Sequence, residues 1–311
     1  MKVSIIGGGG RVGADAAYAL QLGGAVHSLA LVDLNADMAA GEALDITHGA
    51  ALAAGVQATS GDYDIVEGSD CVVITAGLRR RPDESRLELV NRNVVLFREI
   101  LESLKQVKLP DNATILVVSN PVDILTHLAV ESGILPQSQV IGLGTALDTC
   151  RLRSMLAAHF KISAPNIHAM ILGEHGDSMV PIWSAATISG IPLRCLPTYD
   201  QSEVEAIFDR TKKAGAEVIK LKGGAGRAVG IAIMSVVHAM ASDRGTVMPV
   251  SSLQNGALGI SDIALSLPTK LGRKGVVEVY EPVITVDELE ALLRSSEALK
   301  EVLAHVKNSS A

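Results

Sequence analysis

Five short aliphatic runs alternate with longer amphipathic stretches in the first half of this 311-residue chain. Each run is rich in aliphatic, often β-branched residues and carries no charged side chain, which is typical of a strand buried on both faces. The runs are residues 3–6, 29–32, 71–75, 115–118 and 140–143. Helical patterns such as residues 12–22 and 86–105 lie between them. Because strands that alternate with helices pair in parallel through right-handed crossovers, we predict an α/β fold with a doubly wound parallel sheet.

The second half of the chain shows a different pattern, and we predict two domains, residues 1–145 and 146–311. A long helical pattern covers residues 201–240, and residues 251–284 divide into short strands at Asn-Gly and Lys-Gly turn signals. A final amphipathic helix opens at Thr285 with a capping box. We therefore predict that an α+β substrate domain with antiparallel ribbons follows the parallel sheet.

Composition and charge limit the classes of function. The chain has 27 Lys and Arg against 34 Asp and Glu, and this acidic balance argues against non-specific binding to nucleic acid or to an anionic membrane. The cysteines, Cys71, Cys150 and Cys195, are scattered, so we expect free thiols in a reducing compartment. The sequence shows no metal-ligand spacing, no secretory signal pattern and no apolar stretch of about 20 residues. We predict a cytoplasmic protein without a metal, a membrane anchor or a nucleic-acid partner.

A glycine-rich turn follows the first predicted strand, where residues 8–13 satisfy the pattern G-x-G-x-x-G. Glycines there allow the backbone to approach a pyrophosphate, which the N-terminus of the next helix attracts. Asp33 ends the next strand, 20 residues after the last glycine, where a carboxylate binds the adenosine ribose and repels a 2′-phosphate. Either feature alone could be an ordinary turn, but together they predict a Rossmann-type NAD site. Its candidate residues are Gly8, Gly10, Arg11, Val12, Gly13 and Asp33.

Polar residues that could carry chemistry follow the predicted strands. Each has a structural explanation when it is taken alone: a solvated arginine, a turn residue before a proline, a helical ion pair one turn apart, or a histidine in a glycine-rich loop. These residues are Arg80, Arg86, Asn120, Asp148, Arg151 and His175.

Taken together, these residues resemble the lactate/malate dehydrogenase family of NAD-dependent 2-hydroxy-acid dehydrogenases, and three stretches of the chain are specific to that family. They are residues 83–93, 118–123 and 173–178, and the resemblance extends over nearly the whole chain. It implies that His175 is the proton donor and acceptor and that Asp148 is its carboxylate partner. It implies further that Arg86 polarises the substrate carbonyl, Arg151 binds the substrate carboxylate and Asn120 donates to the reacting oxygen. The cofactor contacts that it implies are Thr75, Ala76, Gly77, Asn93, Val118 and Asn120.

The resemblance also suggests a substrate. Arg80 matches a position that is typically glutamine in lactate-specific members and arginine in malate-specific ones, and Ala225 matches a position that is usually threonine in lactate enzymes. A closed pocket with one more cation favours a dicarboxylate, since an unpaired buried charge is costly. We therefore predict a malate dehydrogenase that acts on malate and oxaloacetate. The alternatives are a lactate dehydrogenase, a relaxed 2-keto-acid reductase and a catalytically silent NAD-binding protein, and Arg80 could also point to solvent.

Two further expectations concern assembly and regulation. The resemblance implies a homo-oligomer, with a tetramer favoured over a dimer. Arg153 and His168 match positions that line a sugar-bisphosphate site between subunits in allosteric bacterial lactate enzymes. These two residues could equally form a basic edge that contacts the carboxylates of a neighbouring subunit.

Overall fold

The computed structural model describes residues 1–53, 55–78 and 84–308, with only the backbone for Arg86. Arg80 and the side chain of Arg86 therefore lie outside the described residues. The described chain contains eight α-helices and fourteen strands. The helices are α1 (Arg11–Gly23), α2 (Ala36–Gly49), α3 (Arg86–Leu104), α4 (Val122–Glu131), α5 (Ala146–Phe160), α6 (Gln201–Lys222), α7 (Arg227–Ser242) and α8 (Val286–Asn308). The strands are β1 (Lys2–Ile6), β2 (Ser28–Val32), β3 (Gln57–Ser60), β4 (Cys71–Ile74), β5 (Thr114–Val117), β6 (Val140–Gly142), β7 (Ile167–His168), β8 (Ile171–Leu172), β9 (Val180–Pro181), β10 (Thr187–Ile188), β11 (Ile191–Pro192), β12 (Thr246–Asn255), β13 (Ser261–Gly272) and β14 (Gly275–Val279).

The main sheet has nine strands in the order β14-β13-β12-β6-β5-β4-β1-β2-β3. The strands from β6 to β3 run parallel, and β12, β13 and β14 extend the sheet as an antiparallel ribbon. Two small antiparallel sheets, β11-β10-β7 and β8-β9, belong to the second half. The predicted α/β fold with a Rossmann-type sheet and antiparallel ribbons is confirmed.

Both faces of the parallel sheet are covered by helices, which explains why its strands are apolar throughout. In β4, Val72 and Ile74 pack into the layer of α3, α4 and α8. The alternate residues, Cys71 and Val73, pack into the layer of α1, α2 and α7. Because successive side chains of a strand point to opposite faces, each face needs its own apolar set.

Three details differ from the prediction. The strand β3 was not predicted, because it lies at the sheet edge and its side chains alternate between exposed and half-buried. The helical pattern at residues 201–240 is two helices, since Gly223 adopts a φ of 76° that ends α6. The strands predicted as short are long: β12 has 10 residues and β13 has 12. The domain boundary at residue 145 stays a prediction, and the pairing of Ser251 with Gly142 carries the sheet across it.

The last helix begins as the sequence predicts. The Thr285 hydroxyl accepts from the Glu288 N–H at 3.3 Å, and the Glu288 carboxylate accepts from the Thr285 N–H at 2.9 Å. Leu292, Leu299 and Leu303 of α8 are buried against the sheet. None of the helices in the described ranges combines the length and the apolarity that a bilayer crossing requires.

The helix α1, which opens the cofactor loop, packs closely on α7. A Cβ atom on Gly230 of α7 would lie 2.5 Å from the carbonyl oxygen of Asp15 in α1. Such a separation is shorter than real Cβ contacts and the obstacle is backbone, so the two helices would have to move apart.

We expect Gly230→Ala to lower the free energy of unfolding by about 1–3 kcal/mol because of this collision. Gly41→Ala is the matched control, since Gly41 lies in α2 and a Cβ there meets no atom within 4 Å. That control should raise stability by about 0.5–1 kcal/mol, as alanine favours a helix interior. Chemical denaturation of both variants checks this expectation, and equal effects of the two changes would contradict it.

Candidate active site

The glycine-rich turn lies between β1 and α1 and leaves no room for side chains. A Cβ on Gly7, which has a φ of 93°, would lie 2.6 Å from the Ala76 nitrogen. A Cβ on Gly13 would lie 2.2 Å from the Gly7 carbonyl oxygen. Among the residues that the structure describes, no side chain caps the N-terminus of α1 at Gly10. The first amide groups of α1 therefore lack a side-chain acceptor at the end of the helix that attracts a phosphate, which fits the pyrophosphate of a dinucleotide.

Asp33 connects this turn to the end of β2. Its Oδ2 accepts from the Gly9 N–H at 3.0 Å and its Oδ1 accepts from the Asn35 N–H at 2.9 Å. The carboxylate is half-buried and fixed beside the glycine turn. Each carboxylate oxygen can accept a further hydrogen bond, so Asp33 fits a group with neighbouring hydroxyls such as a ribose.

Arg11 is the first residue of α1, next to the glycine turn. Its guanidinium is directed elsewhere and donates to the carbonyl oxygens of Lys222 and Gly224 at 2.9 and 3.0 Å. These contacts hold the break between α6 and α7 against the first turn of α1. Ala225, in this break, is half-buried and packs against the apolar layer of α1, α2 and α7 with Val12.

The predicted cofactor residues after β4 and β5 lie at the same sheet edge as the glycine turn. The Thr75 hydroxyl donates to the carbonyl oxygens of Ile6 and Gly7 at 3.1 and 3.2 Å. Asn93 is buried in α3, and its Oδ1 accepts from the Leu78 N–H at 2.7 Å. Val118 and the exposed Asn120 follow β5. The carboxyl ends of the parallel strands thus collect these residues, as expected for a ligand crevice of such a sheet.

His175 and Asp148 form a hydrogen-bonded pair. The distance from His175 Nδ1 to Asp148 Oδ2 is 2.5 Å, and Arg151 Nη1 donates to Asp148 Oδ1 at 3.0 Å. Asp148 is 1% exposed and lies in the first turn of α5, directly after β6. The structure therefore joins three of the predicted site residues through one carboxylate.

The charges of this cluster set its protonation. Burial opposes the charged form of Asp148, but His175 and Arg151 outweigh it and hold the pKa of the carboxyl below its ordinary value. Burial likewise opposes a charged imidazole, but Asp148 outweighs it and raises the pKa of His175. The pair therefore favours a carboxylate next to an imidazolium whose Nε2 is left to face a substrate.

Asp123 is a site residue to which the sequence analysis gave no role. It is 2% exposed in the first turn of α4, and its Oδ2 accepts from the His175 N–H at 2.7 Å. Burial raises the pKa of Asp123 to about 6, although the Ser251 hydroxyl and the His175 N–H favour its charged form. The signal that could have identified Asp123 is its acidic side chain within a mostly apolar helical stretch, since a buried carboxylate needs a specific partner.

The two residues of the candidate anion site, Arg153 and His168, lie on α5 and β7. The Arg153 guanidinium donates to the Ala164 carbonyl oxygen at 3.4 Å, and His168 is exposed in β7. The anion site stays a prediction. Within the described residues, no group of three or more His, Cys, Asp or Glu is arranged to hold a metal ion.

Comparison with known proteins identifies both halves of the chain. The family model of the lactate/malate dehydrogenase NAD binding domain matches residues 1–142, and that of the lactate/malate dehydrogenase alpha/beta C-terminal domain matches residues 145–310. An L-lactate dehydrogenase of Thermoanaerobacter sp. (strain X514) is 41% identical over 97% of this chain and 98% of its own length. L-lactate dehydrogenase 1 of Clostridium acetobutylicum is 42% identical and covers 97% of each chain.

Solved structures agree with this assignment. The minor L-lactate dehydrogenase of Enterococcus mundtii superposes with a TM-score of 0.94 at 35% identity and covers 98% of both chains. A lactate dehydrogenase from a Medee basin deep-sea metagenome library has the same TM-score at 32% identity, again covering 98% of both chains.

The predicted malate specificity is wrong, because these full-length relatives and structural neighbours are named lactate dehydrogenases. The charge argument depended on the position of the Arg80 guanidinium, which lies outside the described residues. Ala225 packs half-buried against the apolar layer of α1, α2 and α7. The fold, the glycine turn with Asp33 and the two matching family models together place the chain in the lactate/malate dehydrogenase family, as an NAD-dependent dehydrogenase.

Proposed function

We propose that the protein is an L-lactate dehydrogenase that interconverts pyruvate and L-lactate with NAD. The observation that carries this proposal is the 2.5 Å contact between His175 and the buried Asp148, at the sheet edge that also holds the glycine turn. The L-lactate dehydrogenases to which the chain is similar over almost its full length support the choice of substrate.

The bound nicotinamide cofactor supplies the hydride for reduction of the ketone and accepts it in the reverse direction. The chain's own residues handle the proton. In the direction of reduction, Nε2 of the protonated His175 donates its proton to the carbonyl oxygen, on which negative charge develops. The Asp148 carboxylate accepts a hydrogen bond from the Nδ1–H of His175. This bond keeps the imidazole in one orientation and stabilises its charged form.

The remaining site residues position the substrate. Arg151 uses one N–H for Asp148, and its guanidinium has further donors that can bind the substrate carboxylate in a bidentate manner. We assign the polarisation of the carbonyl to Arg86 and a further hydrogen bond to Asn120, as the family resemblance implies. The cytoplasmic location and the tetrameric assembly stay predictions.

Oxidation of NADH in the presence of pyruvate tests this proposal. We expect pyruvate to give a higher kcat/KM than oxaloacetate, and His175→Asn to lower kcat by about 10²–10⁴-fold while NADH still binds, because general acid catalysis is lost. Absence of pyruvate turnover would refute the proposed function. A His175→Asn variant with unchanged kcat would refute the role of the histidine.

The pair of His175 and Asp148 predicts a specific pH dependence. Asp148 raises the pKa of His175, and reduction needs the protonated imidazole, so activity is present below that pKa and is lost as the pH rises through it. Asp148→Asn removes the charge and should move the upper limb of the kcat/KM profile for pyruvate to lower pH. The dissociation constant for NADH is the control and should stay near that of the unmodified enzyme. An unmoved upper limb would contradict this assignment.

Asp33 predicts a preference for NADH over NADPH. Asp33→Asn keeps an oxygen that can accept from the Gly9 N–H but removes the charge that repels a 2′-phosphate. We expect the ratio of kcat/KM for the two cofactors to narrow by about tenfold or more, which corresponds to ~1.4 kcal/mol or more. Asp37→Asn in the exposed first turn of α2 is the matched control and should leave the ratio unchanged. Equal use of both cofactors by the unmodified enzyme would contradict the prediction.

A further inference from the structure

The loop that carries His175, residues 173–178, is attached to α8 through one buried serine. Ser295 is 0% exposed in the middle of α8. Its Oγ accepts from the Glu174 N–H at 2.9 Å and lies 2.9 Å from the Ser178 Oγ. Ser295 therefore contacts the residue that precedes His175 and the residue that ends the loop.

The hydrogen bonds around Ser295 form a closed ring. The Glu174 carboxylate accepts from the Ser178 hydroxyl at 2.5 Å and from the Ser178 N–H at 3.0 Å. Since the Ser178 hydroxyl gives its proton to Glu174, the Ser295 hydroxyl is left to donate to Ser178, and the Glu174 N–H donates to Ser295. The ring starts and ends at Glu174, and Ser295 is its one member from outside the loop.

The backbone next to His175 is thereby fixed from two helices. Ser295 of α8 accepts from the Glu174 N–H, and Asp123 of α4 accepts from the following N–H, that of His175. The approach of α8 is close, because a Cβ on Gly173 would lie 2.8 Å from the Ser295 Oγ. A shift of this loop would carry the imidazole with it, away from Asp148.

We propose that Ser295 is a positioning residue of the reaction, which holds the His175 loop against α8 so that the imidazole keeps its alignment with Asp148. The proposal rests on the proposed function to the extent that His175 is the proton donor. Small displacements of a catalytic group lower the rate steeply, whereas the glycine turn and Asp33, which belong to β1, α1 and β2, are left intact. The charged groups that act on His175 are Asp148 and Arg151 of α5 and Asp123 of α4.

Ser295→Ala tests the proposal, with Ser296→Ala as the matched control. Ser296 is the neighbouring buried serine of α8, and among the described residues no side-chain hydrogen bond joins it to the loop. We expect Ser295→Ala to lower kcat for pyruvate about tenfold or more, because both hydrogen bonds from Ser295 to the loop are lost, with little change in the dissociation constant for NADH. Ser296→Ala should retain the kcat of the unmodified enzyme.

A second readout is the pKa of the His175 imidazole, measured by nuclear magnetic resonance without substrate. It should fall in Ser295→Ala, since a displaced imidazole gains less from Asp148, and it should stay unchanged in Ser296→Ala. This titration does not depend on the substrate, so it tests the positioning role even if pyruvate proves not to be turned over. Should Ser295→Ala fail to fold, Ser178→Ala is the second variant, because it removes the hydroxyl that bonds to both Glu174 and Ser295. It should lower both kcat and the pKa of His175.

Two results would overturn the proposal. One is a Ser295→Ala variant with the kcat and the His175 pKa of the unmodified enzyme. The other is an equal loss of kcat in Ser295→Ala and Ser296→Ala, which would show that the effect comes from the general packing of α8.

Discussion

One buried carboxylate organises the active site. Asp148 is withdrawn from water, and a lone charge there would be costly, yet it accepts from an imidazole on one oxygen and from a guanidinium on the other. The same two contacts that stabilise Asp148 orient His175 and Arg151. Removing Asp148 would leave two cationic groups without their shared partner, and removing His175 or Arg151 would leave the buried carboxylate with one partner in place of two, so the three residues act as a unit.

The parallel sheet is what allows distant residues to reach that carboxylate. Asp123 follows β5, Asp148 follows β6 and the glycine turn follows β1, so all three lie at the carboxyl edge although they are far apart in sequence. The second half of the chain supplies Asp148 and Arg151 on α5, the His175 loop and the helix α8 behind that loop. The two buried carboxylates at this edge, Asp123 and Asp148, lie in the first turns of helices, close to free backbone amides.

The sequence predicted the features that depend on residues close together in the chain. The glycine turn and Asp33 were found because a phosphate site needs those residues at that spacing. Contacts made only in the folded chain were not visible: Asp123 of α4 accepts from the His175 N–H and Ser295 of α8 accepts from the Glu174 N–H, and no periodicity marks either residue. The substrate was misjudged for the same reason, since the effect of Arg80 depends on where its side chain lies in three dimensions and not on its place in an alignment.

The antiparallel ribbon has a consequence for how the protein is made. Until β12 pairs with β6, the last parallel strand presents a row of unsatisfied backbone groups, and the two partners, Gly142 and Ser251, are separated by more than a hundred residues. A nascent or truncated chain that ends before β12 thus has an open, apolar sheet edge, which is a template for association with other chains. Pairing of β12 with β6 covers that edge, so the strands β12, β13 and β14 protect the parallel sheet from association with other chains.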